Sequence, residues 1–265
     1  MKIVVCVKHV PDLLGDRGFI DGRVDRSQGD STLSELDEHA VEAALTLVEA
    51  AGGEVTVLTV GPADADDAVR RGLQMGAHHG VHVLDDAIAG SDVFGTALVL
   101  AAAIRRVAQD GPVDLVLTGM AALDGLMSVI PSLLAAHLDL PQATLAAELT
   151  VADGVVRVRR DLDHAIEVLE APLPAVVSVT DQANEPRYPS FPGIMAARKI
   201  PITTWSLADL SVDPAEVGEA GARTRVLEAV PRPPRANRVL ITDEGDAGVR
   251  LVAYLAENKL LWGAR

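Results

Sequence analysis

VTVLTVGPADADDAVRRGLQMGAHHGVHVL, Val55–Leu84, decides the fold. It opens on a β-branched run, Val55 to Val60, without the polar alternation of a half-exposed strand, so it suits a strand covered on both faces. From Ala63 to Met75 the spacing changes, and Ala65, Val69 and Leu73 fall on one helical stripe. Asp64, Asp66 and Asp67 lie in its first turn and Arg70 and Arg71 follow, the order that a helix dipole favours. A second buried run, Gly80 to Leu84, comes next. Strand, helix and strand in this order make a right-handed crossover that lays the two strands parallel.

The same alternation extends outward. Lys2 to His9 and Val113 to Thr118 read as two more buried strands, Leu36 to Ala50 as a helix with Ala40, Ala44 and Val48 on one stripe, and Asp92 to Val107 as another helix. The series predicts a doubly wound α/β domain with a parallel sheet. After Pro141 the segments shorten: Ala143 to Val151, Val155 to Leu162 and Ala165 to Leu169 are strand-like, with a hairpin turn at Asp153-Gly154. Pro174 to Thr180 is a further buried strand, Asn184 to Pro192 carries too many prolines to be regular, and Ile194 to Lys199 is a short helix. From Asp213 core-like runs are scarce, prolines stiffen the chain at 231, 233 and 234, and a last helix spans about Asp246 to Asn258. The expected division is an α/β domain over residues 1–212 and an extended C-terminal arm over 213–265.

With 265 residues, 49% of them hydrophobic, the chain can bury a full core without metal or disulfide. Its longest apolar stretch, Val93 to Ile104, is interrupted by Gly95 and Thr96 and followed by two arginines, so no membrane insertion is expected. The first residues run straight into the fold pattern without a signal sequence, and a single cysteine, Cys6, excludes an intramolecular disulfide or a cysteine-based cluster. A cytoplasmic location is expected. A net charge of −15, with few aromatic side chains, argues against a nucleic acid partner. No GxSxG or HExxH motif is present, and no catalytic residue is expected. His78, His79 and His82 straddle a turn and a strand without a partnering cysteine, so no metal site is expected either.

In an open parallel sheet a ligand binds beyond the carboxyl ends of the strands, where strand order reverses. With the order 3-2-1-4, that crevice lies between the first strand, ending in Cys6-Val7-Lys8-His9, and the fourth, ending in Leu117-Thr118-Gly119. Gly119 and Gly125 would allow backbone to approach a ligand, and Pro131 fits only the first turn of the next helix, which therefore starts near Ser128 to Ile130. Its free amides, with Ser128 beside them, could hold a phosphate, although glycines and a capping serine also serve any loop. Ser34 and Asp37 have the spacing of a capping box, and helix capping alone would explain them.

ELDEHAVEAAL (Glu35 to Leu45), DLVLTGMAALDG (Asp114 to Gly125), LDLPQAT (Leu138 to Thr144), RDLDHAIEVLEAPLPAVVSVT (Arg160 to Thr180) and NEPRYPSFPGIMAARK (Asn184 to Lys199) follow one another along the chain. In order and spacing, together with Leu58 to Ala77, the chain resembles the electron transfer flavoprotein beta-subunit family, NEPRY being its most specific signature. The resemblance implies a heterodimer with a larger alpha subunit that carries most of the redox FAD, while beta supplies an adenine-nucleotide site. That site would hold a structural AMP or, in electron-bifurcating members, a second FAD. It implies as nucleotide-binding residues Cys6, Lys8, Ser34, Glu35, Leu36, Asp37, Val60, Gly119, Met120, Ala121, Asp124, Gly125, Ser128, Val129 and Ile130. It also implies a recognition loop for flavin dehydrogenases over 184–199, with Phe191, Pro192, Ile194 and Met195 at the partner, and onward transfer of electrons to a membrane quinone reductase. Leu13 and Asp161 would lie on the alpha-subunit and flavin side. Ser34 stands where many members carry asparagine, Val129 and Ile130 replace a polar pair, and Leu13 and Leu36 replace aromatics. The rival reading is a stand-alone adenine-nucleotide-binding module on the same sheet.

Overall fold

The computed structural model describes residues 1–12, 18–20, 22–26, 30–230, 232–233 and 239–261. It divides into two units, Met1–Leu227 and Glu228–Arg265. In the first, seven strands form one sheet: β1 (Lys2–Cys6), β2 (Glu54–Val60), β3 (His79–Val83), β4 (Leu115–Gly119), β5 (Gln142–Ala146), β9 (Ala175–Val179) and β10 (Ile202–Trp205). The order across the sheet is β10-β3-β2-β1-β4-β9-β5, and every neighbouring pair is parallel. The expected 3-2-1-4 order therefore forms its centre.

The alternation of β1 explains the two layers. Ile3, Val5 and Val7 join a core with helices α1 (Glu35–Ala51) and α2 (Asp66–Met75), whereas Val4 and Cys6 face the opposite core, with α3 (Val93–Val107) and α4 (Ile130–Leu138). A strand covered on both faces must be apolar on both, which is why β1, β2 and β4 read as continuous runs. Asp92 caps α3 by accepting hydrogen bonds from the Phe94 and Gly95 amides at 2.9 and 3.1 Å.

Three expectations need correction. The run Ala143 to Val151 is two strands: β5 joins the main sheet, and β6 (Glu148–Ala152) pairs antiparallel with β7 (Val155–Leu162), which pairs with β8 (Ala165–Pro172). Leu145, in the left-handed region at φ 61°, and Ala147 lie where the chain changes sheets. The strand β10 has no counterpart in the sequence reading, because Ile202 to Trp205 is short, mostly exposed, and lies just after Pro201. Finally, the compact unit runs past 212: Val217 is buried, and the side chain of Asp92 accepts hydrogen bonds from the amides of Arg223 and Thr224 at 2.7 and 2.9 Å.

Candidate functional site

At the carboxyl ends of β1 and β4 the N-terminal turn of α1 is stitched to both strands. The Lys8 amide donates to Asp37 Oδ2 at 2.8 Å, the Gly119 amide also hydrogen-bonds the Asp37 carboxylate, and the Ser34 amide donates to the Lys8 carbonyl at 2.9 Å. Asp37 therefore does not close a capping box. Ser34 makes no side-chain cap, and its buried Oγ has no hydrogen-bond partner. The glycine at 119 is required by this stitch: a Cβ there would stand 2.6 Å from Asp37 Oδ1 and from the Leu36 carbonyl oxygen. It serves the approach of α1, where close approach of a ligand was expected.

Beside the stitch lies a charge cluster. Lys8 Nζ stands 2.8 Å from Asp124 Oδ2, and Arg26 also donates to Asp124. The Asp124 side chain is only 2% exposed, and its Oδ1 has no hydrogen-bond partner. Burial pushes its carboxyl up, but Lys8 and Arg26 outweigh burial and hold it below the usual carboxylate range. Burial pushes Asp37 up to about 7, against the amides of Lys8 and Gly119 and the charge of Lys8. Burial, and secondarily Asp37, push the Cys6 thiol up to about 12, so it is a neutral core group and not a nucleophile.

The loop after β4 opens outward. Ala121 is buried, whereas Leu126 and Met127 are 64% and 55% exposed, and Gly125 has nothing within 4 Å of the position a Cβ would take. Leu126 and Ser128 are left-handed at φ 51° and 55°. The helix α4 that follows has Val129 at its N-cap with no side-chain bond and Pro131 in its first turn, so its leading amides are uncapped. Two cations facing one carboxylate, next to uncapped amides and open space at Gly125, fit an anionic phosphate. Cys6, Ser34, Asp37 and Ala121 are buried and form the floor, while Lys8, Glu35, Gly125 and Ser128 remain accessible. Val60 ends β2 at this same end of the sheet, and Val60, Leu36, Met120, Val129 and Ile130 are all half-buried.

On the outer side of α1 a second constellation stands out. Arg187 donates from its amide and Nε to Glu42 Oε2 at 3.0 and 2.7 Å, from Nη2 to Glu42 Oε1 at 3.0 Å, and from Nη1 and Nη2 to Glu49 at 2.5 and 3.0 Å. Asn184 donates its side-chain amide to the His39 carbonyl at 2.9 Å. These bonds pin an otherwise irregular segment to α1. Ser190 then caps α5 (Phe191–Ala197) through the Gly193 amide at 3.2 Å, and Arg70 from α2 donates to the carbonyls of Ala197 and Ile200 at its far end. On this pinned loop Phe191 is 76% exposed and Tyr188 is 85% exposed, with the Arg71 guanidinium 5.3 Å from the tyrosine ring. Pro192 and Met195 are exposed and Ile194 is half-buried. The helix begins at Phe191, three residues before the expected start at Ile194.

The chain matches the electron transfer flavoprotein domain over residues 21–210. It is 43% identical to an electron transfer flavoprotein subunit beta of Mycobacterium leprae, covering 98% of this chain and 99% of that protein. The chain belongs to the electron transfer flavoprotein beta-subunit family. A beta subunit of Mycobacterium tuberculosis is 41% identical over the same shares, and the caffeyl-CoA reductase-Etf complex subunit CarD of Acetobacterium woodii is 34% identical, covering 98% of this chain and all of that protein. The family carries electrons and is not named for a bond-making reaction.

Family membership leaves the finer placement of residues to geometry. Asp161 lies on β7 opposite Ile166, on the exposed face of the small sheet, with Arg159 Nη2 3.4 Å from its carboxylate. Leu13 lies outside the described residues. The sequence reading missed Arg26, Glu42 and Glu49. The signal for the last two was present, because two glutamates seven apart on α1 share a face that a fork-shaped arginine can span. Among the described residues no helix is long and apolar enough to cross a membrane, and no cluster of three or more His, Cys, Asp or Glu could hold a metal ion.

Proposed function

We propose that this chain is the nucleotide-holding half of a cytoplasmic heterodimeric electron carrier. Its alpha subunit carries FAD, flavin dehydrogenases deliver electrons to that flavin, and a membrane quinone reductase accepts them. FAD supplies the redox chemistry when bound. The residues of this chain position and select. Lys8 and Arg26, with the uncapped start of α4, receive the phosphate of a structural AMP, while Asp124 holds the two cations in place. Phe191, Pro192, Ile194 and Met195 present a pre-ordered apolar surface to the dehydrogenase. Such a surface loses little entropy on docking, because Arg187 and Ser190 have already fixed the backbone.

The match to beta subunits along nearly the full chain carries this reading, and it separates a carrier subunit from a stand-alone nucleotide module. Co-expression with an electron transfer flavoprotein alpha subunit tests it. A yellow complex of two chains is expected, releasing one FAD and one AMP on denaturation. A colourless monomer that retains ATP would reject the reading. The exposed Leu126 and Met127 at the crevice mouth favour a second reading, since they suit a flat ring system better than a phosphate. In that case the crevice holds a second FAD, as in electron-bifurcating members, and chromatography returns two FAD and no AMP.

A further inference from the structure

Asp37 is only 6% exposed, at the floor of the crevice, and it is the group that joins the two strands flanking the crevice to α1. The backbone amide it holds belongs to Lys8, whose ammonium stands 2.8 Å from Asp124. One residue therefore links a buried carboxyl to one of the two cations that face Asp124.

Among the described residues, Lys8 and Asp124 are the charges that act on Asp37. From β1 comes the neutral thiol of Cys6 and from the segment after it Lys8; from the loop after β4 comes Asp124; and Arg26, at the end of the segment 22–26, reaches Asp124. On α1 itself Glu38 is paired with Arg71 at 3.0 Å, and Glu35 points to solvent. At the end of β1 the His9 ring stands 4.0 Å from Asp64, outside this group. Within the group of described residues Lys8, Arg26, Asp124 and Asp37, two cations and two carboxylates cancel when Asp37 is ionised, and one positive charge is left over when it is protonated.

We propose that Asp37 is a proton-linked positioning residue: a nucleotide phosphate entering the crevice is bound together with a proton taken up at Asp37. The proposal rests on the reading of the crevice as an adenine-nucleotide site. Burial already sets the Asp37 carboxyl at about 7 without a ligand, so an added anion raises it further. By linkage the affinity is highest below that value. It falls as pH rises through it, by at most tenfold per pH unit, until the ligand-bound carboxyl ionises too.

The test uses the two-chain complex freed of endogenous nucleotide. AMP loses a proton from its own phosphate near pH 6, so the probe is the methyl ester of AMP, a diester without that ionisation. Its dissociation constant is measured by titration calorimetry from about pH 6 to about pH 8.5 in the parent and in Asp37→Asn. The expected result is at least an approximately fivefold loss of affinity across that range in the parent and a level profile in the variant. A level parent profile, or the same slope in Asp37→Asn, overturns the proposal. Should Asp37→Asn not fold, the parent alone decides. At about pH 7.5, calorimetry in two buffers of different ionisation enthalpy must show proton uptake, and its absence overturns the proposal. If neither AMP nor its ester binds at any pH, the nucleotide reading itself has failed and this inference falls with it.

Discussion

Gly125 is a position where a side chain would cost the fold nothing, because open space surrounds the Cβ site and the backbone is not left-handed. Gly125→Val should therefore leave thermal stability unchanged within about 0.5 kcal/mol while placing a branched side chain where the phosphate would rest. Nucleotide chromatographed from the denatured complex should fall at least about tenfold, equivalent to about 1.4 kcal/mol. Full occupancy would remove the crevice assignment. Ser128→Ala should weaken binding by only about 1 kcal/mol, the scale of one neutral hydrogen bond. Asp37 carries a separate prediction in the ligand-free chain. An unfolded aspartate titrates near about 3.9, whereas burial raises the folded one to about 7. Between those values the folded chain holds the extra proton, so the contribution of this group to stability falls as pH rises through the window and is level above it. Asp37→Asn lacks the slope, and the melting-temperature difference should move in favour of the variant as pH rises from about 4.5 to about 7. A difference that stays constant would show that Asp37 does not titrate there.

At the scale of elements, the segment Asn184 to Ser190 has no regular structure of its own and depends on α1. Arg187 is its tether, and the Glu42 carboxylate it binds is largely buried, so Arg187→Gln should cost about 2 kcal/mol in denaturant unfolding, the range for a charged hydrogen bond. Burial pushes Glu42 up, but the Arg187 hydrogen bonds outweigh it and lower its carboxyl; at Glu49 the same arginine dominates outright. Stability from both groups is present above the ordinary glutamate range and is lost as pH falls through their lowered values. Arg187→Gln should thus flatten the acid limb of the stability profile, and an unchanged limb would count against the tether. Such bonds explain what the sequence did and did not disclose. The parallel sheet was legible because β1, β2 and β4 are apolar on both faces, and α4 was located by Pro131. The capping-box reading of Ser34 and Asp37 failed because spacing cannot say that Asp37 turns to the Lys8 and Gly119 amides across the chain. Phe191 is 76% exposed, against the ordinary expectation that a lone aromatic is core. Phe191→Ala should therefore raise the Michaelis constant for the carrier about tenfold in a dehydrogenase-coupled assay. Melting temperature and flavin content should be unchanged; lost stability with normal electron transfer would give Phe191 a purely structural role.

For the whole molecule, the question is which surface is finished and which awaits another chain. Met1–Leu227 contains both apolar cores. Glu228–Arg265 is different. Its helix α6 (Ala247–Glu257) buries no residue, and Val249, Leu251 and Val252 are at least half exposed, as are Val230, Val239, Leu240 and Leu260 along the same segment. Isolated exposed apolar side chains are ordinary, but a run of them through one segment marks a surface that a partner covers. An eleven-residue helix is also too short to be stable by itself in water, so α6 draws its stability from what it packs against. On the function proposed above, that partner is the alpha subunit. Truncation before Asp246 should then leave the melting temperature of the remaining chain and its affinity for AMP unchanged, because both apolar cores are built from residues of Met1–Leu227. The affinity for the alpha subunit should fall at least about tenfold, measured by analytical ultracentrifugation across a dilution series. Burying even part of three aliphatic side chains is worth more than the corresponding 1.4 kcal/mol at about 25 cal/mol per Å², before any loss from ordering the helix. Unchanged assembly with a destabilised chain would reverse the assignment, making α6 a brace for Met1–Leu227 and leaving the alpha subunit to bind elsewhere.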